Sequence, residues 1–147
     1  MVRNIILYIF IYVLCVGCSD VLTNSDDCID CKLELSIPEL HMDNNNYYHL
    51  YFNEDYNQTF TKIHANVGHS YEKVGWTSNT YFNGCVWDYC ESVNIVNGSS
   101  YSDMDGIAYT MMGVYESNIG DTAVVYCGYY YMGNQYLDSV KVVIDEI

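Results

Sequence analysis

Three observations make this an all-β chain built from antiparallel sheets. Seventeen Tyr, many Val, Ile and Thr and ten Gly stand against a single Pro; β-branched and aromatic residues suit a pleated, half-buried surface, and runs of the strong helix formers are missing. Apolar residues alternate with period two in several windows, and none of the windows beyond the N-terminal segment repeats at three and four residues. Turn signals recur at short intervals, which is the pattern of a sandwich or barrel.

In chain order, strands are predicted over 32–37, 47–53, 59–66, 71–78, 85–89, 92–96, 106–115, 122–131 and 135–144. The breaks between them carry turn chemistry: Asp43-Asn44-Asn45-Asn46, Val67-Gly68-His69, Asn83-Gly84, Asn97-Gly98-Ser99-Ser100, Asp103-Met104-Asp105-Gly106, Ile119-Gly120-Asp121 and Gly133-Asn134. In the last strand Leu137, Val140, Val142 and Ile144 share the core face after one irregular step, with Lys141, Val143 and Asp145 on the other side. Trp76, flanked by small or polar residues, is expected to fill the centre between two sheets, and Trp87, between two cysteines, to close one end.

The N-terminus has a different character. Met-Val-Arg-Asn is followed by the apolar run from Ile5 to Val16 and then by Gly17-Cys18-Ser19-Asp20. A basic start, an apolar core of about a dozen residues and a small residue at the cut make an export signal, too short for a spanning helix. Cys15-Val16-Gly17-Cys18 resembles the lipobox of bacterial lipoproteins. That resemblance implies a signal at 1–17, a lipidated Cys18 and a membrane anchor, on the outer membrane or the cell surface. Residues 18–30, with Asn24-Ser25-Asp26-Asp27, read as a short acidic flexible spacer, and residues 31–147 as a single domain.

The second half of the chain carries another likeness. Val74-Gly75-Trp76-Thr77-Ser78, the stretch from Ser100 to Met111 with Asp103-Met104-Asp105-Gly106-Ile107-Ala108, Gly120-Asp121-Thr122-Ala123-Val124-Val125-Tyr126, and Ser139-Val140-Lys141-Val142-Val143-Ile144 resemble bacterial immunoglobulin-like domains of the invasin and intimin type. The shared order is a strand with a tryptophan, an Asp and Gly turn feeding a Gly-x-Ala strand, a Gly-Asp turn, and a closing strand of alternating valines. The likeness spans about half the chain and implies an immunoglobulin-like β-sandwich. A general likeness to uncharacterised lipoproteins of Bacteroidota carries no activity with it.

Charge bounds the partners. Once the signal with Arg3 is gone, Lys32, Lys62, Lys73 and Lys141 face nineteen acidic residues. A field of that sign repels phosphate backbones, so nucleic acid is not an expected partner. Five cysteines follow Cys18. Cys85 and Cys90 bracket Val86-Trp87-Asp88-Tyr89 and are candidates for a disulfide pinning a hairpin, as expected in an oxidising compartment. Cys28-Ile29-Asp30-Cys31 has redox spacing, but no helix start follows to lower a thiol pKa. A zinc set of Cys28, Cys31, Cys85 and Cys90 has the wrong spacing in its second pair. Asp103 and Asp105 form a weak calcium candidate; an EF-hand would need an oxygen ligand where Tyr101 stands and a Glu where Met112 stands. No cofactor is expected.

Catalytic motifs are missing: there is no Gly-x-Ser-x-Gly, no His-Glu-x-x-His and no glycine-rich phosphate loop. His64 or His69 near Cys85 would be the minimum for a cysteine–histidine pair. The sequence therefore reads as a non-enzymatic, lipid-anchored envelope protein for binding, adhesion or structural display. Tyr129, Tyr130, Tyr131 and Tyr136 form its candidate face for a protein or glycan, because tyrosine offers large contact area at low entropic cost. The alternatives are a thiol-redox accessory enzyme using Cys28 and Cys31, and a eukaryotic or viral secreted glycoprotein carrying the sequons Asn57-Gln58-Thr59 and Asn97-Gly98-Ser99.

Overall fold

The structure, a computed structural model, describes residues 32–86 and 89–147, with side chains outside 84–90. The signal at 1–17, the spacer at 18–30 and Cys18, Cys28, Cys31 and Trp87 lie outside the described residues. The chain forms β1 (Glu34–Ser36), β2 (His41–Met42), β3 (Tyr47–Phe52), β4 (Thr59–Asn66), β5 (Lys73–Ser78), β6 (Tyr81–Val86), β7 (Tyr89–Asn94), β8 (Asn97–Tyr101), β9 (Ile107–Val114), a 3-10 turn at Glu116–Asn118, β10 (Thr122–Tyr131) and β11 (Asn134–Glu146). The fold is all-β, with no closed barrel.

A three-stranded sheet in the order β1-β4-β9 and a six-stranded sheet in the order β2-β3-β11-β10-β5-β8 enclose the core, and β6 and β7 form a separate hairpin. Leu35, Ile63, Ala65, Ala108, Met112 and Val114 of the smaller sheet pack with Leu50, Phe52, Val74, Trp76, Val125, Tyr129, Val142 and Ile144 of the larger one in a single cluster. The N-terminal strands thus belong to the same core as the second half of the chain. Trp76 is buried as expected, and its indole N–H donates to Ser100 Oγ at 2.8 Å, which satisfies its polar edge.

Two loops repeat one design. In Asp43-Asn44-Asn45-Asn46 and Asp103-Met104-Asp105-Gly106 the first aspartate accepts backbone N–H bonds from the second and fourth residues after it, through one carboxylate oxygen at 2.9–3.0 Å. The last residue of each takes a left-handed backbone, with φ 64° at Asn46 and 76° at Gly106. Asn and Gly tolerate that conformation at low cost.

Several sequence expectations are corrected. The sheets are mixed rather than purely antiparallel, because β3 pairs parallel to β11, Tyr47 opposite Lys141 through Phe52 opposite Glu146. Asn83-Gly84 is no turn but lies within β6, and Asn97-Gly98-Ser99-Ser100 forms most of β8, with Gly98 at φ 134° inside a strand. The predicted turn at Gly133-Asn134 falls one residue earlier: Met132 and Gly133 both have positive φ, a type I′ turn, and Asn134 pairs with Tyr131. Leu137 leaves the core. β11 alternates without an irregular step, so Tyr136, Asp138, Val140, Val142 and Ile144 share the inner side and Leu137 is 69% exposed.

The hairpin is fixed at its base. Asn118, buried under the 3-10 turn, accepts from the Tyr115 N–H and donates to the Tyr81 carbonyl, and Phe82 packs on the Tyr115 ring at 4.0 Å. Within the core, the Thr61 hydroxyl is buried without a hydrogen-bond partner. A buried hydroxyl in that state costs about 1–3 kcal/mol. Thr61→Val keeps the shape and removes the group, so it is expected to raise the denaturation midpoint by the equivalent of about 1 kcal/mol; a lower midpoint in chemical denaturation would show that the hydroxyl has a partner.

Candidate functional site

Alternation along β10 decides which tyrosines can meet a partner. Val125, Cys127, Tyr129 and Tyr131 point inward, while Tyr126, Gly128 and Tyr130 point outward. The tyrosine face expected from the sequence is therefore split. Tyr129 is buried, its hydroxyl donating to the Lys32 and Val67 carbonyls at 3.1 and 3.3 Å, and Tyr136 stacks on it with ring centroids 4.9 Å apart. Burial and the neighbouring Tyr136 raise the Tyr129 hydroxyl above its ordinary pKa. Tyr131 stacks on His69 at 4.6 Å. Of the four, Tyr130 alone stands out on the open sheet.

The outer face of the six-stranded sheet supplies a different set of neighbours. Cross-strand register aligns Leu137, Gly128, Gly75 and Ser99 in one row, and Ser139, Tyr126, Thr77 and Asn97 in the next. Gly75 and Gly128 present no side chain, so a shallow groove of about 350 Å³ opens between Tyr126 and Tyr130, bordered by Leu137. A side chain at Gly128 would displace Leu137: a Cβ there would meet Leu137 Cδ2 at 2.5 Å and the Tyr136 carbonyl oxygen at 3.1 Å. Leu137 leans over the glycine and stays exposed, an arrangement that leaves an apolar knob beside an open trough.

Charge sets this face apart. The outward positions of β5, β8 and β10, and those of β11 from Gln135 to Val143, hold Lys73 and Lys141 and no Asp or Glu, in a chain with nineteen acidic residues and net charge −14. Lys141 lies over the Tyr47 ring at 5.1 Å. Among the described residues most acidic side chains lie at turns and strand ends instead.

Farther along β11 from the groove, His49, opposite Val143, ties three segments together. Its Nδ1 is 2.7 Å from Asp145 Oδ2 on β11, and its Nε2 is 3.6 Å from Asp43 Oδ2 in the β2–β3 turn. The hydrogen bond to Asp145 raises the His49 pKa above its ordinary 6.5, and the backbone N–H of Tyr47 lowers that of Asp43.

The cysteine, carboxylate and histidine candidates separate. Register places Cys85 directly opposite Cys90 across β6 and β7. Cys127 is a buried, free thiol pushed up to about 12, chiefly by burial and next by Asp138. Asp103 spends a carboxylate oxygen on its own turn, and among the described residues no three His, Cys, Asp or Glu side chains are placed to hold a metal ion. His64 lies on β4 and His69 in the β4–β5 loop, at the end of the sandwich away from the base of the hairpin that carries Cys85. Sequence reasoning missed Tyr126, Leu137 and the glycine pair. Strict period two through Cys127 would have marked Tyr126 and Tyr130, whereas the Gly75–Gly128 neighbourhood arises from a pairing of distant strands. No protein-family model matches this chain, and no curated protein is similar to it in sequence.

Two measurements follow from this geometry. A histidine whose pKa is raised by folding stabilises the fold below its unfolded value near 6.5, and that contribution is lost as pH rises through the higher folded value. Asp43 acts with the opposite sign, its contribution falling away on acidification below its ordinary 3.8. The stability difference between the protein and His49→Gln should therefore be larger at pH 5.5 than at pH 8.5 in denaturant titrations; a difference independent of pH would refute the clamp. For Cys127, labelling by iodoacetamide at pH 8 should be undetectable in the folded protein and complete in denaturant, and rapid labelling of the native state would contradict its burial.

Proposed function

We propose that this chain is an exported, lipid-anchored envelope protein whose non-catalytic immunoglobulin-like domain recognises a partner through the outer face of its six-stranded sheet. One observation carries the recognition reading: Tyr126, Tyr130 and Leu137 stay exposed around a glycine-floored groove whose lining holds no carboxylate. Exposed aromatic and apolar side chains gathered on one surface mark interaction sites, and tyrosines are common anchors in them.

Strand order supports the immunoglobulin-like reading. Taken in sequence, β1, β4 and β9 correspond to strands A, B and E, and β5, β10 and β11 to strands C, F and G, of the two sheets of that fold. Trp76 sits on the C-like strand and Cys127, its cross-strand neighbour, on the F-like strand. That is where the inter-sheet disulfide and its packing tryptophan sit in antibody domains, but β4 carries no cysteine to complete the bridge. The β6–β7 hairpin is an addition between the C-like strand and β8. Backbone register sets Cys85 opposite Cys90, and opposed Cα atoms in an antiparallel pair lie about 4.5–5.5 Å apart, which supports the disulfide proposed between them.

Tethering rests on the lipobox-like Cys15-Val16-Gly17-Cys18, with Cys18 bearing the acyl chains. A second reading, the secreted glycoprotein, is favoured by the exposure of both sequon asparagines, Asn57 in the β3–β4 turn and Asn97 at the start of β8. Intact mass of the membrane-extracted protein separates the two: acyl chains on a chain beginning at Cys18 support the tether, and glycan mass on Asn57 or Asn97 overturns it. For the recognition face, a photo-crosslinking amino acid in place of Tyr130 should yield adducts on intact cells, while the same group in place of Phe60 on the opposite sheet should yield few. Equal yields from the two positions would remove the face from the proposal.

A further inference from the structure

At one end of the sandwich three loops meet. The Val67 N–H donates to the Gly106 carbonyl at 2.9 Å, the Tyr71 N–H to the Ser102 carbonyl at 3.0 Å, and Ser102 Oγ to the His69 carbonyl at 2.6 Å, so the β4–β5 loop is fastened to the β8–β9 turn. A Cβ on Gly106 would lie 2.9 Å from the backbone of Gly68 and His69, which shows how closely the two backbones approach. The His69–Tyr131 stack brings in the β10–β11 turn. From these three loops Tyr71, Met104 and Met132 project at 69%, 81% and 70% exposure. Tyr71 and Met132 do so from left-handed backbones, with φ 64° and 47°, a conformation that costs a non-glycine residue energy and that persists only where the surroundings impose it.

The chain enters the fold at this same end. The Lys32 carbonyl, at the first described residue, is held by the Tyr129 hydroxyl alongside the Val67 carbonyl, and Glu34 pairs with Asn66. Thirteen residues lie between Cys18 and Lys32, and a chain of that length spans at most about 50 Å. Charge is polarised along the same axis. Lys32 and Lys73 flank the three-loop tip beside Glu34, Glu72, Asp103 and Asp105. The opposite end bears Glu54, Asp55, Glu116, Asp121, Asp145 and Glu146 with no Lys or Arg.

We infer that the Tyr71, Met104 and Met132 tip rests on the membrane that carries the anchor, inserting these side chains at the headgroup level of a neutral lipid surface. Three exposed apolar side chains bind a bilayer weakly by themselves and become effective once the tether raises their local concentration. Tyrosine suits the interfacial zone and lysine can extend past it to the headgroups. The four nearby carboxylates select zwitterionic over anionic lipid. The six-stranded face then stands alongside the membrane normal, open to a partner, with the acidic end directed outward.

This inference rests on the tether proposed above, and methionine oxidation tests the two separately. Met42 and Met111, exposed at 46% and 48% away from the tip, are internal controls. In phosphatidylcholine vesicles the acylated protein should show at least fivefold slower hydrogen peroxide oxidation of Met104 and Met132 than in solution, with Met42 and Met111 unchanged. A second arm places the Cys18→Ser chain, starting at residue 18 with an N-terminal hexahistidine tag, on the same vesicles through a nickel-chelating lipid. Selective protection of Met104 and Met132 there supports the tip even if intact mass shows no acyl chain on the native protein, a result that would overturn the tether alone. Equal oxidation of all four methionines in both arms overturns the tip.

Discussion

The pairing of β10 with β11 governs the rest of the molecule. Ten residues of each strand pair in unbroken register, from Thr122 opposite Val143 to Tyr131 opposite Asn134, and this ribbon recruits β5 on one side and β3 on the other. Because side chains alternate strictly, that register fixes at once which residues build the core and which meet solvent. It sends Val125, Cys127 and Tyr129 toward Ile63 and Ala65 of the facing sheet, and it leaves Tyr126, Gly128 and Tyr130 outside. The type I′ turn at Met132 and Gly133 sets the register locally, since its twist matches that of the flanking strands.

Much of this was legible in the sequence, and the misses have physical causes. The predicted strands 59–66 and 122–131 coincide with β4 and β10, where alternation is cleanest. Glycine is the exception elsewhere. In Asn97-Gly98-Ser99 and Asn83-Gly84 it sits within strands, although the same dipeptides commonly form turns. The parallel alignment of β3 on β11 is a long-range outcome, fastened in part by the His49–Asp145 contact, and no local pattern announces it. Proximity in sequence groups the four tyrosines, but three consecutive residues of a strand cannot share a face, and Tyr129, Tyr130 and Tyr131 obey that rule. The hydrophobicity of Leu137 suggests a core position, whereas Gly128 across the ribbon gives it a seat on the surface.

Acidity takes on a more specific meaning in the folded molecule. The many carboxylates suggest uniform repulsion, yet among the described residues most lie at turns and strand ends, several of them spent as turn acceptors, as in Asp43 and Asp103, while Asp138 within β11 turns inward and accepts the Leu35 N–H. The lysines on strands lie on sheet faces next to tyrosines, Lys62 over Tyr109 at 4.6 Å and Lys141 over Tyr47. A protein that keeps long-range repulsion while sparing one broad face can stay soluble and still approach a partner. The buried Cys127 fits the same division, packed as a core residue on the inner side of the strand whose outer side borders the groove.

The most direct test of this account is tyrosine nitration of the native protein followed by peptide mapping. With the register described, Tyr126 and Tyr130 should be nitrated and Tyr129 spared until the protein unfolds. Nitration of Tyr129 at the rate of Tyr130 would mean that β10 presents its other side, and the assignment of core and recognition face would be wrong.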